Sequence, residues 1–131
     1  MDAPLPIHDL FIRALERRAT TAGSTLNVLR YSDHLLRRFG LAEFHVLGEG
    51  QQRLSAARPV ADEVWALVRG EAEFDWEDRR EASPTFGRTF HLRAAQPTVV
   101  LVPFGVTFRI RSLNGEAALV RLASEEDEGG S

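Results

Sequence analysis

The amino-acid sequence predicts an all-β protein in which a jelly-roll barrel follows an N-terminal extension. From Ala42 onward, short strand-like segments alternate with turns, and many short strands at regular spacing are typical of sandwiches and closed jelly rolls. The chain has 131 residues, 44% of them apolar, which is enough for one domain with an ordinary core. The absence of cysteine excludes thiol nucleophiles, disulfides and thiolate zinc sites.

Residues 1–41 are predicted to form the extension, which contains a strand and a short helix. Its predicted elements are a turn at Ala22–Ser24, a strand over Leu26–Tyr31 and a helix over Leu35–Phe39. Asp33 is a suitable N-cap for this helix and Gly40 a suitable end. We expect the extension to pack outside the barrel or across a subunit boundary.

Residues 42–123 are predicted to form the barrel. Its predicted strands are Glu43–Leu47, Glu63–Val68, Ala72–Trp76, Thr89–Leu92, Val99–Val102, Thr107–Ile110 and Ala117–Leu122. Arg69-Gly70 predicts a turn, and Asn114-Gly115 between two apolar runs predicts a hairpin. The acidic residues 124–131 are predicted to form a disordered tail.

The charged residues narrow the classes of partner. All sixteen basic residues are arginine, which excludes lysine Schiff-base chemistry and suits planar anions, although a GC-rich genome would give the same usage. The chain carries a net charge of −3, concentrated in the tail, and has no basic stripe, so no nucleic-acid partner is expected. The longest apolar run is too short for a membrane span, and the residues Met1–Pro4 lack the charged start and apolar stretch of a signal peptide, so we expect a cytoplasmic protein.

Several glycines, one proline and one glutamate recur at characteristic intervals. Gly50, Glu63 and Gly70 are followed later by Pro103-x-Gly105. This pattern resembles the two motifs of the cupin superfamily, in which glycines and proline make tight turns at the ends of the barrel. The resemblance implies the cupin-type double-stranded β-helix.

The cupin metal ligands are mostly replaced in this chain. The family's three histidine positions fall on Ala56, Arg58 and Phe108, and only the glutamate, Glu63, is kept. Because a catalytic metal needs about three protein ligands, we expect no metal and no other cofactor.

A second resemblance lies in the segment Asp78–Gly87, which contains the string Ser-Pro-Thr-Phe-Gly. It resembles dTDP-4-dehydrorhamnose 3,5-epimerase, a metal-free cupin family, and Val102-Pro103-Phe104-Gly105-Val106 lies where that family has Ile-Pro-x-Gly-Phe. The resemblance covers about residues 50–113. It implies that Arg53 contacts a nucleotide diphosphate.

The same resemblance implies that the family's catalysis is lost. Its histidine base falls on Ala56, and the only tyrosine of this chain, Tyr31, lies far before the position of the family's tyrosine acid. The remaining catalytic candidates are His45 and Glu63. The ligand-binding candidates are Arg53, Arg58, Glu63 and Trp65.

Each candidate also has a structural interpretation. Glu63 and Arg58 would form a buried ion pair if both point inward, and Trp65 shares the strand face of Glu63 and suits the core. His45 could pack on its strand face rather than act as a base. Phe108 is expected to fill the cavity.

Three classes of function therefore remain open. The residues favour a cupin that binds a sugar nucleotide or a similar anionic small molecule without catalysis. The alternatives are a sugar-nucleotide epimerase or isomerase with relocated chemistry, and a degenerate barrel with a structural role. We also expect a homodimer, because an open sheet edge at Leu26–Tyr31 or Glu43–Leu47 can pair with a second copy.

Overall fold

The computed structural model describes residues 7–30, 33–36, 38–55 and 62–125 of the chain. These residues form nine strands and contain no α-helix. The strands are β1 (Ile12–Ala14), β2 (Arg17–Thr20), β3 (Gly23–Leu26), β4 (Leu41–Leu47), β5 (Gln52–Ser55), β6 (Glu63–Asp78), β7 (Thr89–Ala94), β8 (Thr98–Val102) and β9 (Val106–Ala123).

Two long strands, β6 and β9, run antiparallel along the whole barrel and belong to both of its layers. In the first layer the strand order is β1-β8-β6-β9-β4, and in the second layer it is β7-β6-β9-β5. Strands β2 and β3 form a separate hairpin. The architecture is the predicted all-β jelly roll.

The predicted turn at Arg69-Gly70 and the predicted hairpin at Asn114-Gly115 are wrong. Both segments lie where β6 and β9 bend together, and the two strands stay paired on either side of the bend. Gly70 has a φ of 95°, and a Cβ there would clash with the carbonyl oxygen of Glu116. The backbone freedom of these residues therefore allows a bulge between the layers rather than a chain reversal.

Side chains that alternate along β6 and β9 build two apolar clusters. Between the layers, Phe108 packs against Trp76 and Phe74 with ring centroids 5.3 Å and 6.0 Å apart. On the outer face of the first layer, Val64 and Ala66 are covered by apolar side chains of the N-terminal segment. The first cluster forms the floor of the barrel interior.

The N-terminal segment differs from its prediction. The strand in this region is β3, which ends at Leu26, and residues 27–30 are not in a strand, while Tyr31 lies outside the described residues. The predicted helix is absent from residues 35–36 and 38–39. The carboxylate of Asp33 accepts bonds from the Arg13 guanidinium and the backbone N–H of Arg30, so it does not serve as an N-cap.

Strand β5 was not predicted, because its four residues mix polar and apolar side chains over too short a span. No helix among the described residues has the length and apolar character needed to cross a membrane. The division into extension, barrel and tail and the cytoplasmic location stay predictions.

Candidate functional site

The candidate site is the part of the barrel interior where β4, β5, β6 and β9 meet. Strand pairing places Trp65 opposite Arg121, and Arg121 opposite Glu43 on the other side. Because side chains alternate along a strand, Glu63 points to the same face as Trp65. Arg53 of β5 enters the same interior beside Ile110.

A buried ion pair lies at the centre of this site. Glu63 is 2% exposed and Arg121 is fully buried, and the Arg121 Nε donates a hydrogen bond to Glu63 Oε2. The Arg121 Nη1 also donates to Glu43 Oε1 at 2.9 Å. Buried charges are stable only when they are paired, and here one guanidinium lies between two carboxylates.

His45 is a further member of this network. Its Nε2 lies 3.0 Å from Glu43 Oε1, and its ring centroid is 5.0 Å from that of Trp65. The hydrogen bond from Arg121, and to a smaller extent the one with His45, lowers the pKa of Glu43. The imidazole is therefore oriented by an ionised Glu43, not by Glu63.

The partner of Glu63 differs from the one considered in the sequence analysis. Arg58, like Ala56, lies outside the described residues, and the buried partner is Arg121. A signal for Arg121 exists in the sequence, because it alternates with the inward residues Leu119 and Ala123 of an apolar strand. A charged residue at an inward position requires a buried partner.

Arg53 and Arg121 both lie near the indole of Trp65. Their Cζ atoms are 5.5 Å and 6.0 Å from its ring centroid. Such distances allow cation–π attraction. Trp65 is 1% exposed, so it serves both as a core residue and as a wall of the candidate site.

Two buried donors in this site lack acceptors among the described residues, namely Arg53 Nε and Trp65 Nε1. The second tryptophan of β6 gives a contrast, because Trp76 Nε1 donates to the carbonyl oxygen of Leu101 at 3.1 Å. Buried N–H groups are nearly always satisfied by protein, water or ligand. An oxygen-bearing ligand beside Trp65 would supply the missing acceptors.

The segment that carries the epimerase resemblance has a structural role. Asp78 is fully buried and accepts hydrogen bonds from Arg80 Nε at 2.9 Å and from the Ser83 and Thr85 hydroxyls, both at 2.6 Å. Burial raises the pKa of Asp78, but the bonds from Arg80, Ser83 and Thr85 outweigh burial and hold it well below its usual range. Arg80 also donates to the carbonyl oxygen of His8 at 2.7 Å, which fastens the N-terminal segment to the barrel.

The metal positions can be assessed in part. Phe108 is 3% exposed and packs in the core, 6.4 Å from Trp65 between ring centroids. Within the described ranges, no three His, Asp or Glu residues are grouped as they are in a metal site. The expected absence of a metal stays a prediction.

The described strands form a jelly roll of the cupin type, with the charged side chains of Glu63 and Arg121 inside the barrel. No protein-family model and no curated protein matches the chain. Several solved structures of dTDP-sugar isomerases and epimerases match 95–98% of the chain, among them the following three.

One is a dTDP-sugar isomerase from Desulfovibrio desulfuricans, with a TM-score of 0.84 at 19% identity, covering 98% of this chain and 85% of that one. Another is a double mutant of ChmJ, a 3'-monoepimerase from Streptomyces bikiniensis in complex with dTDP, with a TM-score of 0.83 at 21% identity, covering 95% and 68%. A third is dTDP-6-deoxy-D-glucose-3,5-epimerase from Legionella pneumophila in complex with dTDP-4-keto-L-rhamnose, with a TM-score of 0.81 at 19% identity, covering 95% and 71%. The fold-level resemblance to the dTDP-4-dehydrorhamnose 3,5-epimerases is thereby confirmed.

Proposed function

We propose that the barrel interior binds a sugar nucleotide, or a similar anionic small molecule, without the catalysis of the epimerases. The observation that carries this proposal is the pair of buried donors, Arg53 Nε and Trp65 Nε1, which lack acceptors among the described residues. A guanidinium and an indole N–H side by side suit the oxygens of a phosphate or a sugar. The dTDP and dTDP-sugar complexes of structural neighbours support this ligand class.

The charges of the site favour an anion at Arg53. Arg121 is neutralised by Glu63 and Glu43, whereas Arg53 makes no ion pair with any described residue. Of these two interior guanidinia, Arg53 is the one available to a ligand. Its planar fork matches phosphate oxygens better than a point charge would. Arg58, the other arginine of the prediction, is proposed as a second contact from the segment that follows β5.

Calorimetric titration with dTDP tests this proposal. Charge-assisted hydrogen bonds contribute about 1.5–3 kcal/mol each, so Arg53→Ala should weaken binding by about tenfold to a hundredfold. Arg53→Lys should recover only part of the loss, since lysine keeps the charge but not the fork. Arg111→Ala is the matched control, because Arg111 lies on the adjacent strand with its side chain on the outer face beside Glu73.

The titration has two contradicting outcomes. If Arg53→Ala and the wild type bind dTDP equally, the nucleotide does not contact Arg53. If neither protein releases heat with dTDP or a dTDP-hexose, the degenerate barrel with a structural role is the better interpretation.

The arrangement of His45 favours a second candidate function, a sugar-nucleotide epimerase or isomerase with relocated chemistry. Removal of a proton next to a ketone needs a base, and a histidine oriented by a carboxylate can act as one. His45 has this arrangement with Glu43, whereas Glu63 is bound to the buried Arg121. Exchange of ligand C–H protons with deuterated water, lost in His45→Gln, would support catalysis, and the absence of exchange in the wild type would contradict it.

We propose further that the chain is a homodimer without a bound metal. Among the described residues β4 pairs only with β9, so its other edge is open, and Phe44 and Val46 are 64% and 48% exposed beside it. A second copy could extend the layer through this edge. A monomeric mass by light scattering at micromolar concentration would contradict the dimer, and stoichiometric zinc, iron or manganese by elemental analysis would contradict the metal-free state.

A further inference from the structure

A groove of about 370 Å³ lies on the outside of the molecule, between β1, the hairpin of β2 and β3, and the segment that follows β3. We call it the arginine groove. Its charged lining residues are Arg13, Arg17, Arg18, Arg30, Glu16 and Asp33. Four arginines and two acidic residues line the groove, so its lining has an excess of two positive charges. None of these residues belongs to the barrel interior.

Two of the four arginines are held in place by the protein. Arg13 donates to both oxygens of Asp33, at 2.9 Å and 3.1 Å. The hydrogen bonds from the Arg13 side chain, and to a smaller extent the one from the backbone of Arg30, lower the pKa of Asp33 to about 2. Arg17 donates to the Ser24 hydroxyl at 3.2 Å and to the carbonyl oxygen of Val68 at 2.9 Å. These bonds give the groove a defined wall before any ligand binds.

The other two arginines are available to a ligand. The guanidinia of Arg18 and Arg30 make no hydrogen bond or ion pair with the residues that the structure describes, and both residues are exposed at the groove. Thr25 and Asn27 line the same groove and add neutral hydrogen-bonding groups. The charge of Arg30 contributes to the lowered pKa of Asp33, but its guanidinium, like that of Arg18, keeps its donors for a ligand. Guanidinium forks and neutral polar groups in one groove suit a doubly charged oxyanion.

We propose that the arginine groove is a second binding site, separate from the barrel interior, for a phosphorylated small molecule. A phosphate monoester carries about two negative charges at neutral pH, which match the excess charge of the groove. Guanidinium forks bind phosphate oxygens in a bidentate manner. The volume is within the range of small-molecule sites and exceeds what a bare phosphate fills, which leaves room for the rest of the molecule.

The test follows the arginine Nε–Hε signals by NMR while inorganic phosphate, and separately glucose 6-phosphate, is added at constant ionic strength. The signals of Arg18 and Arg30 should shift and saturate. Glucose 6-phosphate should bind more tightly than inorganic phosphate. In the double variant R18Q/R30Q the affinity for both probes should fall by about tenfold or more. R18K/R30K should recover part of it, because the charge is kept.

Two controls separate this site from other sources of binding. R88Q removes an exposed arginine whose side chain has no bond to the described residues, and it should leave the affinity unchanged. R53A alters the barrel interior and should also leave the groove signals unchanged. The proposal for the groove can therefore be contradicted while the proposed function of the interior stands, and the reverse. Shifts that grow linearly and equally at Arg88, Arg18 and Arg30 would overturn the proposal. Saturation confined to Arg53 would overturn it as well.

Discussion

The Asp78 cluster and the barrel interior are both buried polar networks, but they satisfy their hydrogen bonds to different degrees. Every bond of the Asp78 carboxylate is made inside the protein, by Arg80, Ser83 and Thr85. In the interior, two shielded donors, Arg53 Nε and Trp65 Nε1, have no acceptor among the described residues. A completed network stabilises the fold, whereas an incomplete one costs stability and is expected where a ligand completes it. The sequence string most like the epimerases therefore belongs to the fold, and the candidate site lies elsewhere.

The largest expected effect comes from the charged pair in the interior. Arg121→Met removes the partner of the buried Glu63 and should lower the free energy of unfolding by about 3–5 kcal/mol in urea titrations. The double variant Arg121→Met/Glu63→Met removes both charges and should recover most of the loss. A double variant no more stable than the single one would contradict the interpretation of Glu63 and Arg121 as a coupled pair.

A smaller loss is expected in the Asp78 cluster. Asp78→Asn keeps the shape but removes the charge, and it should cost about 1.5–3 kcal/mol at neutral pH. Because the folded pKa of Asp78 is lowered, the unfolded state binds more protons as the pH falls below about 4, and the stabilisation is progressively lost. The difference between wild type and variant should therefore shrink below about pH 4. A difference that is constant with pH would contradict this assignment.

Arg53→Met should act in the opposite direction. Without ligand, removing a buried donor that lacks an acceptor should leave the stability unchanged or raise it by about 1 kcal/mol in the same urea titrations. With dTDP present, the wild type should gain stability and the variant should not. A clear loss of stability in the ligand-free variant would show that the protein itself satisfies Arg53.

The smallest effect is expected on the outer face of the second layer. Arg109 bonds to Asp75 there, and both side chains are about one-third exposed. Exposed ion pairs contribute about 0–1 kcal/mol, so Arg109→Ala should change the free energy of unfolding by less than Asp78→Asn does. An equal change in the free energy of unfolding would mean that burial does not explain why the Asp78 cluster is more stabilising than the exposed pair of Arg109 and Asp75.

Most of the fold could be predicted from the sequence, but the bend and the site's central pair could not. Because successive side chains of a strand point to opposite faces, Glu63 and Trp65 could be placed on one side of their strand. It does not give register, and only the pairing of β9 with β6 and β4 brings Arg121 to Glu63 and Glu43. Those contacts join residues 58 and 78 positions apart. The glycines at the bend are typical of turns. Because β6 and β9 stay paired on both sides of the bend, these glycines form a bulge instead.

Strands β6 and β9, which bend through both layers, also affect how the molecule can come apart. Because β6 and β9 belong to both layers, these two strands cannot leave one layer without leaving the other. Within the seven-stranded sheet, local opening is therefore confined to the strands that flank them, β1, β4, β5, β7 and β8. The backbone amides that bond β6 to β9 should exchange with solvent only on global unfolding, at both ends of the barrel alike. The wall of the site formed by Trp65 thus has the stability of the whole domain, while Arg53 and His45 stand on strands that can open on their own.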